Sequence, residues 1–366
     1  MNYQNRLKQI ALTKIPMVGA ITAKNLVSYC GSVDAVFEAT KRELLKIPGI
    51  GAQTAAAIIN HDPFKAAEAE LEFLEKYDIR SFFYLDKTYP ARLRNFPESP
   101  VILYYKGTAD LNFERTVGIV GTRQPTAQGI AICEELVENL AAYDVMIISG
   151  LAYGIDITAH KKCLEKNIPT LGVLGNGLAK IYPAAHKSAA EKMMENGGVL
   201  TEFAHHVGPD RENFPMRNRI IAGLSDALIV VETASKGGSI ITAHIANNYN
   251  KDVFAVPGRL KDKYSQGCNH LIKTNQAALI ESAEDVAYIM RWQAEAQAGP
   301  KQAELFAELS ENERKVIELL RENDEVNIDK LCYEAGQSTS QMAALLLELE
   351  FKGFVKTLPG KRYILV

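Results

Sequence analysis

Six short apolar runs organise the middle of the chain: TVGIVG (116–121), DVMIISG (144–150), TLGVLG (170–175), GVLTEF (198–203), DALIVVE (226–232) and DVFAVPG (252–258). Each is nearly continuous in apolar residues instead of alternating, which marks strands buried on both faces. Stretches of helical spacing separate them, among them Ala127–Leu140, Ile155–Lys166 and Ser239–Tyr249. Strands and helices in alternation predict an α/β fold, a parallel sheet covered on both sides by crossover helices. Ligands of such sheets bind beyond the C-terminal ends of the strands. The loops that follow the six runs are therefore where chemistry is expected.

The pattern changes on either side of this core, and three domains are expected: 1–78, 79–293 and 305–366. The first is helical and rich in small residues. Its IPGIGAQTAAAII (47–59) and IPMVGAITAKNLV (15–27) share one layout, Ile-Pro, an apolar residue, a glycine, then a helix. This predicts a tandem helix-hairpin-helix. Hairpin amides can hold a backbone phosphate without reading bases. The pair can equally be structural, each motif burying the other's apolar face. A polar linker, AEAQAGPKQAE (294–304), leads to the third domain. There, SENERKVIELLREN, VNIDKLCYEAG and STSQMAALLLELEFKGF read as three helices, and VKTLPGKRYILV as a hairpin across Pro359-Gly360. That is a winged helix. Ser310 and Glu313 form a capping box for its first helix. Its third helix carries Glu348 and Glu350, with Gln341 and a terminal Lys352, which suits protein contact or packing better than reading DNA.

The strand-end loops are GTR (121–123), SGLAYGID (149–156), GNGLAKIYP (175–183), FPMRNRIIAGLS (214–225) and ASKGGSIITA (234–243). The first opens a Rossmann-type unit, but the dinucleotide fingerprint GxGxxG is absent and Arg123 stands where the glycine-rich turn would continue. No acid follows VMIISG to hold a ribose hydroxyl. Glycines let backbone amides approach an anion closely, and Arg123, Lys180, Lys187, Arg217 and Arg219 add charge. The reading is a phosphate-binding site with no nicotinamide or flavin. Arg217 and Arg219 are placed in the first turn of a helix, where they oppose its dipole. An anionic ligand offsets that, as would pairing with Asp210, Glu212 or Asp226.

Composition narrows the class. A chain 47% hydrophobic and 23% charged suits a soluble globular protein. Formal charge is −3, so any nucleic-acid site must be a local patch. Five scattered cysteines without a CxxC pair argue against a disulfide framework and against a zinc site. With no apolar signal region and no stretch of membrane-spanning length, a cytoplasmic location is expected. Enzyme signatures are missing: no GxxxxGK[ST], no GxSxG, no HExxH. The histidines lack metal spacing: His205-His206 are adjacent and cannot share a helix face. His160 and His244 read as packed or solvated residues. Asp156 and Glu232, at strand-to-loop junctions, read as caps or loop anchors ahead of catalysts. No cofactor or metal is expected, and no enzymatic activity.

Taken together, TYPARLRNFPESPVILYYKG, GTR, SGLAYGID-TAH, LGNGLAKIYP, FPMRNRIIAGLS, GGSIITA and VFAVPG followed by GCNHLI resemble the DNA-processing protein A (DprA/Smf) family over nearly the whole chain. The resemblance implies an extended Rossmann fold that binds single-stranded DNA, forms homodimers, and loads RecA recombinase onto DNA taken up in natural transformation. It implies roles for Arg123, for a glycine-rich pocket with Gly150 and Gly154, and for Arg217 and Arg219. With the loop reading, the expected single-stranded DNA site is Gly121, Thr122, Arg123, Gly150, Gly154, Lys187, Arg217, Asn218, Arg219, Gly238 and Ser239. The chain departs from the family in Gly237-Gly238-Ser239, where Ser-Gly-Ser is common, and in His186, where Asn is usual. The dimer surface is expected around Val253–Phe254 and Ile280–Ile289, unless those residues are spent on burial inside the fold. A rival reading is a phosphoribohydrolase of the lysine-decarboxylase-like type, whose PGGxGTxxE resembles GGSIITAH (237–244). Ile240-Ile241 replace its Gly-Thr, and His244 takes the place of the glutamate that such hydrolysis needs. A third is a duplex binder working through its end domains.

Overall fold

The computed structural model describes residues 3–293, 310–321, 326–352, 354–358 and 361–365. A nine-stranded sheet forms its centre: β1 (Arg80–Phe83), β2 (Ile102–Gly107), β3 (Thr116–Val120), β4 (Met146–Ser149), β5 (Thr170–Val173), β6 (Gly197–Thr201), β7 (Ala227–Val230), β8 (Asp252–Ala255) and β9 (Ala278–Leu279). The order is β1-β2-β6-β5-β4-β3-β7-β8-β9. All six apolar runs are strands, and from β6 to β9 all pairings are parallel. The antiparallel edge of β1 and β2 extends the sheet beyond those runs.

Two-sided burial explains the unbroken apolar sequence. Val117, Ile119, Ile147, Ile229 and Phe254 face one core with Cys133, Val137 and Leu140 of helix Ala127–Leu140. Their neighbours Val120, Ile148, Leu228 and Val230 face the other, with Ile220, Leu224 and Ala243. Val253, Phe254 and Ile280 are thus interior and cannot form a dimer surface, which corrects that part of the expectation; Leu279, Tyr288 and Ile289 are exposed. Strand order reverses at β3. The chain runs outward through β4, β5 and β6 on one side, then returns to lay β7 on the other, in register at Gly118↔Leu228. The crevice between the ends of β3 and β7 is the topological switch point, the usual ligand site of such sheets.

The N-terminal helices bury Leu12, Ile15, Leu26, Leu44, Ile47 and Ile58 together with Phe83 of β1 and Val101. The 78/79 boundary therefore falls inside one compact unit, 1–295, and a second unit covers 296–366. The two hairpins differ at one position. Gly49 has φ 84°, and its counterpart Met17 has φ 65°. A left-handed conformation is natural for glycine and unusual for methionine, which sets the first copy apart from the second. The second unit contains helices Glu311–Arg321, Ile328–Ala335 and Thr339–Phe351 and strands β10 (Val326–Asn327), β11 (Val355–Leu358) and β12 (Arg362–Leu365), ordered β10-β12-β11. The capping box is present: Ser310 N donates to Glu313 Oε2 at 2.7 Å and Glu313 N to Ser310 Oγ at 3.3 Å. The linker 294–304 and the Pro359-Gly360 turn lie outside the described residues. Among the described residues, no helix is long and apolar enough to cross a membrane.

Candidate functional site

The loop after β3 is fixed by its backbone. Thr122 N donates to Glu232 O at 2.7 Å, and Ile155 N donates to Thr122 O at 3.2 Å. Gly154 has φ 82°, and a Cβ there would overlap the Thr122 carbonyl. A Cβ on Gly121 would meet the Ile155 side chain. Both glycines are thus steric requirements for setting Arg123 at the sheet edge. The two suspicious acids anchor loops, as their positions suggest. Glu232 accepts from Thr126 N at 2.9 Å and Oγ1 at 2.6 Å, and Thr126 caps helix Ala127–Leu140. Asp156 accepts from Gly150 N at 3.2 Å and Ala152 N at 3.4 Å.

Beyond these loops a cleft of 780 Å³ opens at the switch point, with Arg123, Arg211, Lys263, Phe214, Tyr182 and Gly238 on its walls. Arg123, Arg211 and Lys263 are exposed. None has an ion-pair partner among the described residues. The Arg123 guanidinium lies 5.6 Å from the Phe214 ring centroid, and the Tyr182 ring 6.0 Å from Phe214. Helix Gly238–Asn248 begins at the wall. Its first-turn amides carry the positive end of the helix dipole. The Ser239 hydroxyl is already engaged, donating to Thr233 Oγ1 at 2.6 Å.

Arg217 forms the floor and is only 4% exposed. Its guanidinium donates to Gly150 O at 2.5 Å and to Val173 O, and its Nε to Asn218 Oδ1 at 3.2 Å. A Cβ on Gly150 would press on that guanidinium, hence the glycine. Burial lowers the Arg217 pKa to about 10 despite the opposing pull of Asp156, so the group stays charged at neutral pH. Burial likewise raises Asp156, with Arg217 working against the rise. The helix runs Asn213–Leu224, so Arg217 and Arg219 sit in its second turn, not in the first turn expected from sequence, and do not oppose the positive end of its dipole.

Seven of the eleven expected residues meet at the cleft: Gly121, Thr122, Arg123, Arg217, Asn218, Gly238 and Ser239. Gly150 and Gly154 lie beneath it as backbone supports. Arg219 turns away and pairs with Glu202 at 2.5 Å. That is ion pairing, though with none of the three acids considered from sequence; Asp226 pairs with Arg92 instead. Lys187 opens helix Lys187–Met193, pairs with Glu191 at 3.8 Å and does not line the cleft. Arg211, Lys263, Tyr182, Phe214 and Tyr264 join the site without having been singled out. Phe214 lies inside the FPMRN motif; Arg211 and Lys263 sit in polar segments with no distinguishing pattern, and only the fold brings them together. His160 is a packed residue, its Nδ1 2.8 Å from Thr170 Oγ1 and its pKa pushed down to about 3 by burial. His244 is exposed.

Comparison with known proteins agrees with this architecture. The family described as DNA recombination-mediator protein A matches residues 80–291, the DprA winged helix domain 299–361, and the SAM-like helix-hairpin-helix tandem 10–61. Protein Smf of Synechocystis sp. is 30% identical over 97% of each chain. DNA processing protein DprA of Streptococcus pneumoniae is 40% identical over 56% of this chain and 72% of its own. The crystal structure of the Streptococcus pneumoniae protein superposes with a TM-score of 0.69 at 31% identity, covering 79% of this chain and 98% of that one. DNA processing protein A of Helicobacter pylori, studied for its single-stranded DNA binding mode, superposes with a TM-score of 0.53 at 28% identity, covering 59% and 97%. With fold, flanking modules and strand-end loops in agreement, this chain belongs to the DprA/Smf family of DNA-processing recombination mediators.

Proposed function

We propose that the switch-point cleft binds the backbone of single-stranded DNA, and that a dimer of the chain hands the bound strand to RecA recombinase during natural transformation. The observation that carries this is the cleft lining. Three exposed cations without an ion-pair partner among the described residues line it together with aromatic rings and a helix start, while Asp156, the carboxylate in the lining, is buried and holds amides. Cations and amides hold phosphates without sequence preference, and ring faces such as Phe214 and Tyr182 stack unpaired bases. The Helicobacter pylori relative, with its single-stranded DNA binding mode, supports the same ligand.

We infer a mediator without turnover, acting in the cytoplasm. The acids at the strand ends serve as loop anchors, and His244, at the position where a phosphoribohydrolase needs its glutamate, is exposed and outside the cleft lining. Two linked clefts raise the effective concentration on one strand, and exposed Leu279, Tyr288 and Ile289 offer the apolar surface for pairing. The test is a titration with a labelled single strand and its duplex across salt concentrations, with light scattering for the dimer. A second assay follows displacement of single-strand-binding protein by the cognate RecA. Preference for the single strand and faster displacement are expected. Equal affinity for duplex, release of free base from nucleoside monophosphates, or ATP turnover by the chain itself refutes the reading.

A further inference from the structure

The loop leaving β6 is held by the loop after β5 and by helix Phe64–Lys76. Gly177 N donates to Val207 O at 2.8 Å, and Ala179 N to His205 O at 3.3 Å. The His205 ring stacks on Phe73 with centroids 4.4 Å apart and planes 13° apart, which fixes its orientation. Glu70, on the same helix as Phe73 (Phe64–Lys76), is fully buried. Its Oε1 accepts from His205 N at 2.8 Å, while its Oε2 lies 3.1 Å from His205 Nδ1 and 2.9 Å from Lys14 Nζ. The His205 Nδ1 contact lacks hydrogen-bond geometry, so that buried nitrogen has no satisfied bond. His206 stands edge-on to His205 at 5.1 Å and is exposed. Donor atoms of all three residues lie within 4.8 Å of one another.

We propose that Glu70, His205 and His206 bind a divalent transition cation of the zinc class, clamping helix Phe64–Lys76 to the loop after β6. Two imidazoles and one carboxylate are a donor set that zinc accepts while keeping a fourth position for water. Adjacent histidines cannot share a helix face, but on a loop the restriction lapses. A buried carboxylate needs a compensating cation, and Lys14 supplies one when no metal is bound; the metal takes over that role and Lys14 withdraws. His206, at the surface, leaves the site open to solvent. Because the ligands come from residue 70 and residues 205–206, metal binding stabilises the folded unit.

The experiment uses the full chain without a histidine tag, stripped of metal. Co²⁺ binding is followed by visible absorption and Zn²⁺ binding by calorimetry, with melting temperature as a third readout. Expected are one ion per chain, tetrahedral Co²⁺ bands without a thiolate charge-transfer band, and a rise in melting temperature with Zn²⁺. His206→Ala, at an exposed position with no folding cost, weakens binding at least about tenfold. Lys14→Met, which removes the competing ammonium, tightens it. Absence of saturable one-to-one binding, a thiolate band, or wild-type affinity in both His206→Ala and Glu70→Gln overturns the proposal.

Discussion

Arg123 and Arg217 line the same cleft, yet their surroundings assign them opposite work, and the difference is measurable. Arg217→Met removes a buried guanidinium that donates to Gly150 O and Val173 O and opposes the charge of buried Asp156. A buried carbonyl left without its donor costs about 1–3 kcal/mol, and breaking a buried charged arrangement about 3–5 kcal/mol. For a unit of this size each kcal/mol moves the melting temperature by about 2 °C, so a drop of roughly 6 to 10 °C is expected. The salt dependence of DNA binding by the folded protein should not change, because that guanidinium does not reach solvent. Arg123→Ala should do the reverse. Its side chain is exposed, so stability stays within about 0.5 kcal/mol of wild type and the melting temperature within about 1 °C. One lost phosphate contact lowers the slope of log K against log salt by about 0.7, so between 50 and 200 mM salt the variant loses about 2.6-fold less affinity than wild type. Differential scanning fluorimetry and fluorescence anisotropy at four salt concentrations decide the matter. A stable Arg217→Met protein with a flattened slope refutes the division of labour, as does an Arg123→Ala protein with an unchanged slope.

Other expectations follow from the same geometry. His160 is fully buried with its pKa pushed down to about 3 from an ordinary 6.5, so the native state stays neutral where the unfolded chain takes up a proton. The stability it contributes is complete above pH 6.5 and is lost toward pH 3 at about 1.4 kcal/mol per unit; His160→Leu, which leaves the Thr170 hydroxyl its bond to Ile147 O, should flatten that acid limb in denaturant melts. An acid limb identical to wild type contradicts the assignment. Gly154→Ala meets both a left-handed φ of 82° and the Thr122 carbonyl. Backbone strain alone costs about 1–3 kcal/mol, and DNA affinity should fall with it, since the β3 loop must move; a wild-type melting temperature speaks against this. A chain ending after residue 293 keeps Trp292 against the core and should lose less than tenfold in affinity, about 1.4 kcal/mol, in the same anisotropy assay. A larger loss assigns the winged helix a direct part in binding.

What could be read from the sequence was what recurs locally. Unbroken apolar runs mark six of the seven strands of the parallel block, since a two-sided core demands them at each position. Capping chemistry at Ser310, the hairpin repeat and the glycine loops were equally local. The antiparallel strands β1 and β2 and the two-residue β9 carry weaker patterns and were not marked. The site was half legible. Arg123 and the Gly238 helix start sit where strand-end logic puts them, but nothing near Arg211 or Lys263 announces that the fold brings them to the same cleft. Arg217 and Arg219 are two residues apart on a helix, which points them to different sides: one into the floor, the other to Glu202. A two-residue motif cannot show that divergence until the helix start is fixed at Asn213. Glu70 and the histidine pair were invisible together because 135 residues separate Glu70 from His205.

The reversal of strand order at β3 also sets a timetable. The strand that flanks β3 on the cleft side is β7, whose Leu228 pairs with Gly118 from 110 positions further along, and the far wall extends to Lys263. Contacts of such sequence separation form late, because the chain between them must be closed first. During synthesis, once β6 has left the ribosome six of the nine strands are out, with an open edge at β3 and no cleft. The newborn protein therefore acquires the cleft only after the chain through Lys263 has emerged, and an open apolar edge at β3 is the hazard it carries until then.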